Sequence, residues 1–80
     1  MRIEAEVSLY PLGKERLSPF IDSFVGVLEE HGCETDVGPM STLVKGDTDQ
    51  VFDALKAGYE KAAEQGGCVL IVHASNACPM

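Results

Sequence analysis

Eight consecutive residues near the start of this chain, Ile-Glu-Ala-Glu-Val-Ser-Leu-Tyr from Ile3 to Tyr10, alternate apolar and polar side chains. A helix would scatter the apolar groups around its axis. A strand gathers Ile3, Ala5, Val7 and Leu9 on one face and Glu4, Glu6, Ser8 and Tyr10 on the other. The chain is thereby committed to a sheet with one buried face, and other segments must cover that face. Pro11-Leu12-Gly13 breaks the strand.

The cover is legible further along. Ser18-Pro19 offers a hydroxyl cap followed by proline at the first helical position. Ile21, Phe24, Val25 and Leu28 follow at helical spacing, and Gly32 stops this helix after His31. Cys33 to Val37 reads as a short strand, Gly38-Pro39 as a turn, and Ser41 to Lys45 as a third strand closed by Gly46. Asp47 caps a second helix, with Gln50 three residues on completing a capping-box pair. Val51, Phe52, Leu55, Tyr59 and Ala62 or Ala63 form its expected apolar face, and Gly66-Gly67 ends it. Cys68 to Ala74, rich in branched residues, is a fourth strand, and the rest reads as a frayed tail.

The order β-α-β-β-α-β predicts an α+β ferredoxin-like sandwich. It has an antiparallel four-stranded sheet of order 4-1-3-2 with two helices on one face. With 80 residues the whole chain, 1–80, is expected to form one such unit.

Composition narrows the function classes. At 45% hydrophobic and 24% charged residues, disorder and collagen are excluded. A net charge of −7 does not neutralise phosphates, so neither nucleic acid nor an anionic membrane is expected as partner. No apolar run approaches the roughly 18–20 residues of a membrane helix, and the acids at Glu4 and Glu6 oppose a signal peptide. The expected location is the cytoplasm. Cys33, Cys68 and Cys78 are odd in number and widely spaced, with no CxxC pair, which fits neither a disulfide framework nor a zinc site. A chain this small buries only roughly 60–65% of its unfolded surface, so a homo-oligomer is expected.

Antiparallel pairing carries the argument from fold to site. The end of strand one lies beside the start of strand three. Ser8 and Tyr10 are therefore expected near Met40, Ser41 and Thr42, just after the Gly38-Pro39 turn, with Glu6 one pleat further in. Hydroxyls, a phenol ring and a thioether in one place suit a small aromatic ligand. His73 is expected near the start of strand one, as a sheet histidine.

The segments Val7-Ser8-Leu9-Tyr10-Pro11-Leu12-Gly13 and Gly38-Pro39-Met40-Ser41-Thr42-Leu43-Val44-Lys45-Gly46-Asp47 resemble one family. It is the small thiamine-binding protein family, single-repeat relatives of the tandem YkoF-like thiamine and hydroxymethylpyrimidine binders. The resemblance runs from about residue 3 to residue 72. It implies a ferredoxin-like fold, dimers or tetramers assembled through sheets, and thiamine or its pyrimidine moiety as ligand rather than a cofactor. It implies no catalysis. Carried over residue by residue, Ser8 and Tyr10 match the strand-one motif, and Gly38, Pro39, Met40, Ser41 and Thr42 the turn-and-strand motif. Lys45 and His73 depart from it.

The chemistry suits such a ligand. The hydroxyls of Ser8, Ser41 and Thr42 can donate or accept, Tyr10 can stack on a cationic ring, and Glu6 can accept from an amino group or neutralise a thiazolium if it faces the pocket. The role implied is vitamin B1 salvage, buffering or delivery. Two other readings stay open from the residues alone. One is a small isomerase-like enzyme using Glu6, Tyr10 and His73 on the open sheet face. The other is a ligand-sensing or interaction module acting in trans.

Overall fold

A computed structural model describes residues 1–13 and 18–77. Its elements run β1 (Arg2–Pro11), α1 (Ser18–Glu30), β2 (Glu34–Val37), β3 (Thr42–Asp47), α2 (Thr48–Ala63) and β4 (Cys68–Ser75). The sheet order is β2-β3-β1-β4 with every neighbouring pair antiparallel, the expected order read from the opposite edge. Cys78 and the tail beyond it, like Arg16, lie outside the described residues.

The period-two reading of β1 holds along its length. Ile3, Ala5, Val7 and Leu9 are buried, while the alternate residues stay half-buried or exposed. Phe20, Phe24, Val25 and Leu28 of α1 and Val51, Ala54 and Leu55 of α2 close over them. Leu28, Val44 and Val51 are fully enclosed. Cys33 joins this core, and burial pushes its thiol pKa up.

Strand ends differ from the sequence reading where pairing extends them. Gly46 does not close β3: it pairs with Ile3, and Asp47 with Arg2, so the strand runs directly into α2. β3 begins at Thr42 rather than at Ser41, whose carbonyl accepts from the Gly38 N–H at 2.8 Å and closes the turn. β4 reaches Ser75, which pairs with Glu4. His73 stands opposite Glu6 in the middle of β1 rather than near its start.

Helix α2 buries Val51, Leu55 and Ala62 of the expected face but is turned so that Ala54 and Gly58 replace Phe52 and Tyr59. Its buried residues are Val51, Ala54, Leu55, Gly58 and Ala62, at the 3–4 spacing of one stripe. Phe52 and Tyr59 lie beside that stripe and are exposed. The helix start is as read: the Asp47 N–H donates to Gln50 Oε1 at 3.2 Å. The Gln50 amide also donates through Nε2 to the His31 carbonyl at 2.9 Å, tying the end of α1 to the start of α2. Gly32 follows α1 with φ +82°, a conformation that favours glycine.

The second sheet face carries no helix. It presents Glu4, Glu6, Ser8 and Tyr10 from β1 together with Val69, Ile71 and His73 from β4. Tyr10, Val69 and Ile71 are each 43–46% exposed, an apolar group at one end of that face.

Candidate functional site

The site follows from unequal strand lengths. β1 is paired with β4 as far as Pro11, but with β3 only as far as Val7, whose partner is Thr42. The last residues of β1 therefore run past the end of β3, leaving a gap beneath the Gly38–Ser41 turn. The Leu12 N–H donates to the Gly67 carbonyl at 2.9 Å, on the β4 side. By the two-residue alternation of an antiparallel ladder, Tyr10 and Ser8 also direct their backbone groups to β4. Leu9 turns its N–H and C=O toward the gap. Pro11, which has no N–H, occupies a position of the same parity as Leu9, where β3 offers no partner for one.

This gap opens a cavity of about 450 Å³, within the usual range for small-molecule sites of roughly 300–1,000 Å³. Its walls come from three places. Val7, Ser8, Leu9 and Tyr10 supply the strand wall. Val37, Gly38, Pro39, Met40, Ser41 and Thr42 supply the hairpin wall. Ile21, Asp22 and Phe24 supply the helix wall. The lining is mostly apolar, with hydroxyls at Ser8, Ser41, Thr42 and Tyr10. Thr42 is buried, Ser8 and Ser41 are half-buried, and Met40 is 82% exposed at the rim. At Gly38 a Cβ would stand 3.0 Å from the Ser41 carbonyl, so the turn that carries this wall is built around a missing side chain.

Seven of the eight residues singled out from the sequence line this cavity: Ser8, Tyr10, Gly38, Pro39, Met40, Ser41 and Thr42. Glu6 does not. Two residues along a strand is roughly 6–7 Å, and that step keeps Glu6 on the same open sheet face as Ser8 but carries it past the edge of the cavity, to where β1 is still paired with Leu43 of β3. There its Oε1 lies 3.9 Å from Nδ1 of His73, both side chains mostly exposed. The pair that an acid–base enzyme would use is thus outside the cavity. Sequence reasoning missed Asp22 and Val37 as lining residues and counted Val7, Leu9, Ile21 and Phe24 only as core. The helical spacing of Ile21 and Phe24 gave their apolar face, but nothing local says which turn of α1 overhangs the end of β1. Among the described residues no group of three His, Cys, Asp or Glu side chains could hold a metal ion, and no helix is long and apolar enough to cross a membrane.

Comparison with known proteins gives this geometry a context. A family model described as thiamine-binding protein matches residues 5–73. The chain belongs to the thiamine-binding protein family. Both cavity-forming segments fall inside the matched range. Among curated proteins, UPF0045 protein MJ1052 of Methanocaldococcus jannaschii is 29% identical over 59 residues. That alignment covers 72% of this chain, and the chain spans only 59% of the relative's length. The crystal structure of the same archaeal protein superposes with a TM-score of 0.88 at 22% identity, covering 99% of this chain and 84% of that one. A thiamine biosynthesis/salvage candidate of Thermotoga maritima superposes with a TM-score of 0.83 at 21% identity, covering 94% of this chain and 83% of that one. At these identities the structural likenesses establish the shared fold.

Proposed function

We propose that this protein binds thiamine, or its hydroxymethylpyrimidine half, in the cavity between the end of β1, the β2–β3 turn and α1. It does so without catalysis, as a buffer, carrier or salvage component for vitamin B1. The observation that carries this reading is the convergence of the two family-like segments on one cavity of about 450 Å³. Thiamine has two flat rings with an amino group and ring nitrogens. The apolar walls suit the rings, and the four hydroxyls can each donate or accept toward the pyrimidine edge. The backbone groups of Leu9 add one donor and one acceptor at a strand edge. Tyr10 offers a ring face to the thiazolium cation, worth roughly 0.5–2 kcal/mol.

Assembly belongs to the same reading. Tyr10, Val69 and Ile71 lie exposed together on the face without helices, and burying them against a second copy of the chain would complete a two-sided sheet as a dimer or tetramer. Tyr10 also lines the cavity, so assembly would roof the site.

Thermal melting tests the ligand. Thiamine at about 100 times its dissociation constant adds about 2.7 kcal/mol, and for a chain of this size that raises the midpoint by roughly 10 °C or more. The same rise should shrink in a Ser41→Ala, Tyr10→Ala double variant. A midpoint that does not move with millimolar thiamine or pyrimidine alcohol would reject the reading.

A further inference from the structure

The cavity wall has a sign. Of its described lining residues, Asp22 is the one that carries a charge at neutral pH, and none is Lys, Arg or His. Asp22 stands at the start of the second turn of α1 between Ile21 and Phe24, and all three line the cavity, so Asp22 puts one carboxylate on an otherwise apolar helix wall. The chain as a whole adds a charge of −7, a field that draws cations toward any cleft and repels anions.

We infer that Asp22 is the charge-selecting residue of this cavity, favouring the unphosphorylated thiamine cation and disfavouring its phosphate esters. The inference rests on the proposal that the cavity binds thiamine, and adds to it a ligand class and the residue that sets it. Thiamine carries a permanent positive charge on its thiazolium ring, and esterification adds negative charge at the other end of that ring. A carboxylate beside low-dielectric walls attracts the first and repels the second. Asp22 is exposed, so solvent screens the interaction, and its worth should be roughly two- to fivefold in affinity. A surface-bordering charge pair also weakens with salt, whereas neutral hydroxymethylpyrimidine should bind independently of both Asp22 and salt.

Isothermal titration of the full chain with thiamine, thiamine pyrophosphate and hydroxymethylpyrimidine separates the claims. Wild type and Asp22→Asn are compared at about 50 and about 300 mM salt. The expected result has three parts. Wild type prefers thiamine over the pyrophosphate by roughly tenfold or more. Asp22→Asn loses roughly two- to fivefold for thiamine at low salt and less at high salt. Its affinity for the pyrimidine alcohol is unchanged. Melting curves check that the exposed substitution leaves the fold intact. Equal thiamine affinity in both proteins, equal losses for thiamine and the neutral pyrimidine, or a wild type that binds pyrophosphate as tightly as thiamine would each overturn the role of Asp22 while leaving the thiamine site standing. No binding of any of the three by wild type would instead overturn the site itself, and the role of Asp22 with it.

Discussion

Two helical glycines should respond to the same substitution with opposite signs. Ala is favoured over Gly inside a helix by roughly 0.8–1 kcal/mol. At Gly26 of α1 an added Cβ would meet nothing within 4 Å, so Gly26→Ala should collect most of that gain. At Gly58 of α2 the added Cβ would stand 2.8 and 2.9 Å from two ring carbons of Phe24, against an optimal carbon contact of roughly 3.5–4.0 Å. Phe24 is 3% exposed and cannot swing into solvent. Overpacking of this kind costs roughly 1–3 kcal/mol. After the helix gain, Gly58→Ala should be destabilised by up to roughly 2 kcal/mol. At roughly 4–8 °C per kcal/mol the two variants should melt on opposite sides of wild type. Because Phe24 also lines the cavity, Gly58→Ala should weaken ligand binding although Gly58 does not line the cavity. Urea titration of both variants, each with a ligand titration, measures this. A Gly58→Ala protein as stable as Gly26→Ala would mean that the helix pair has slack, and would refute the argument that Gly58 is there to admit the ring.

Other outcomes follow from the same packing. Leu28→Ala removes a fully enclosed side chain and should cost roughly 2–5 kcal/mol by urea denaturation. Gln50→Ala removes the bonds to Asp47 and His31 and should cost roughly 1–2 kcal/mol, with faster amide exchange where α1 meets α2. Ile71→Asp puts a charge into the apolar group of the open face, and size exclusion with light scattering should report a smaller assembly than wild type. Burial raises the Cys33 pKa, so the folded chain keeps that proton to higher pH than the unfolded chain. The stability from this group is whole below the unfolded thiol pKa of about 8.5 and is lost as pH rises through the folded value. Wild type should therefore lose stability more steeply than Cys33→Ala between about pH 8 and 10, measured as urea midpoints across that range.

What the sequence disclosed depended on the range of the force involved. β1 was legible because its alternation is a local pattern that one buried face imposes, and the start of α2 because Asp47 and Gln50 act within one turn. The orientation of α2 was legible only in part, through Val51, Leu55 and Ala62. Phe52 and Tyr59 are apolar, but Ala54 and Gly58 face α1 and the sheet instead, because two helices over a small sheet need small residues where they approach. Gly58 admits the Phe24 ring there. The candidate site shows the same division. Cross-strand register brings Ser8, Tyr10 and the Gly38–Thr42 segment together, and register can be argued from strand order. Asp22 enters through the placement of α1 above the sheet end, a tertiary fact with no local signature. Glu6 shares a face with Ser8 and Tyr10, but the cavity begins where β3 stops at Thr42, and Glu6 pairs one step earlier, with Leu43.

The central claim concerns a place, and chemical-shift mapping of the isotope-labelled chain during a thiamine titration tests it directly. The account predicts saturable amide shifts concentrated at residues 8–10, 21–24 and 38–42. Shifts confined to Glu6, Ile71 and His73 on the open face, or none at millimolar thiamine, would contradict it.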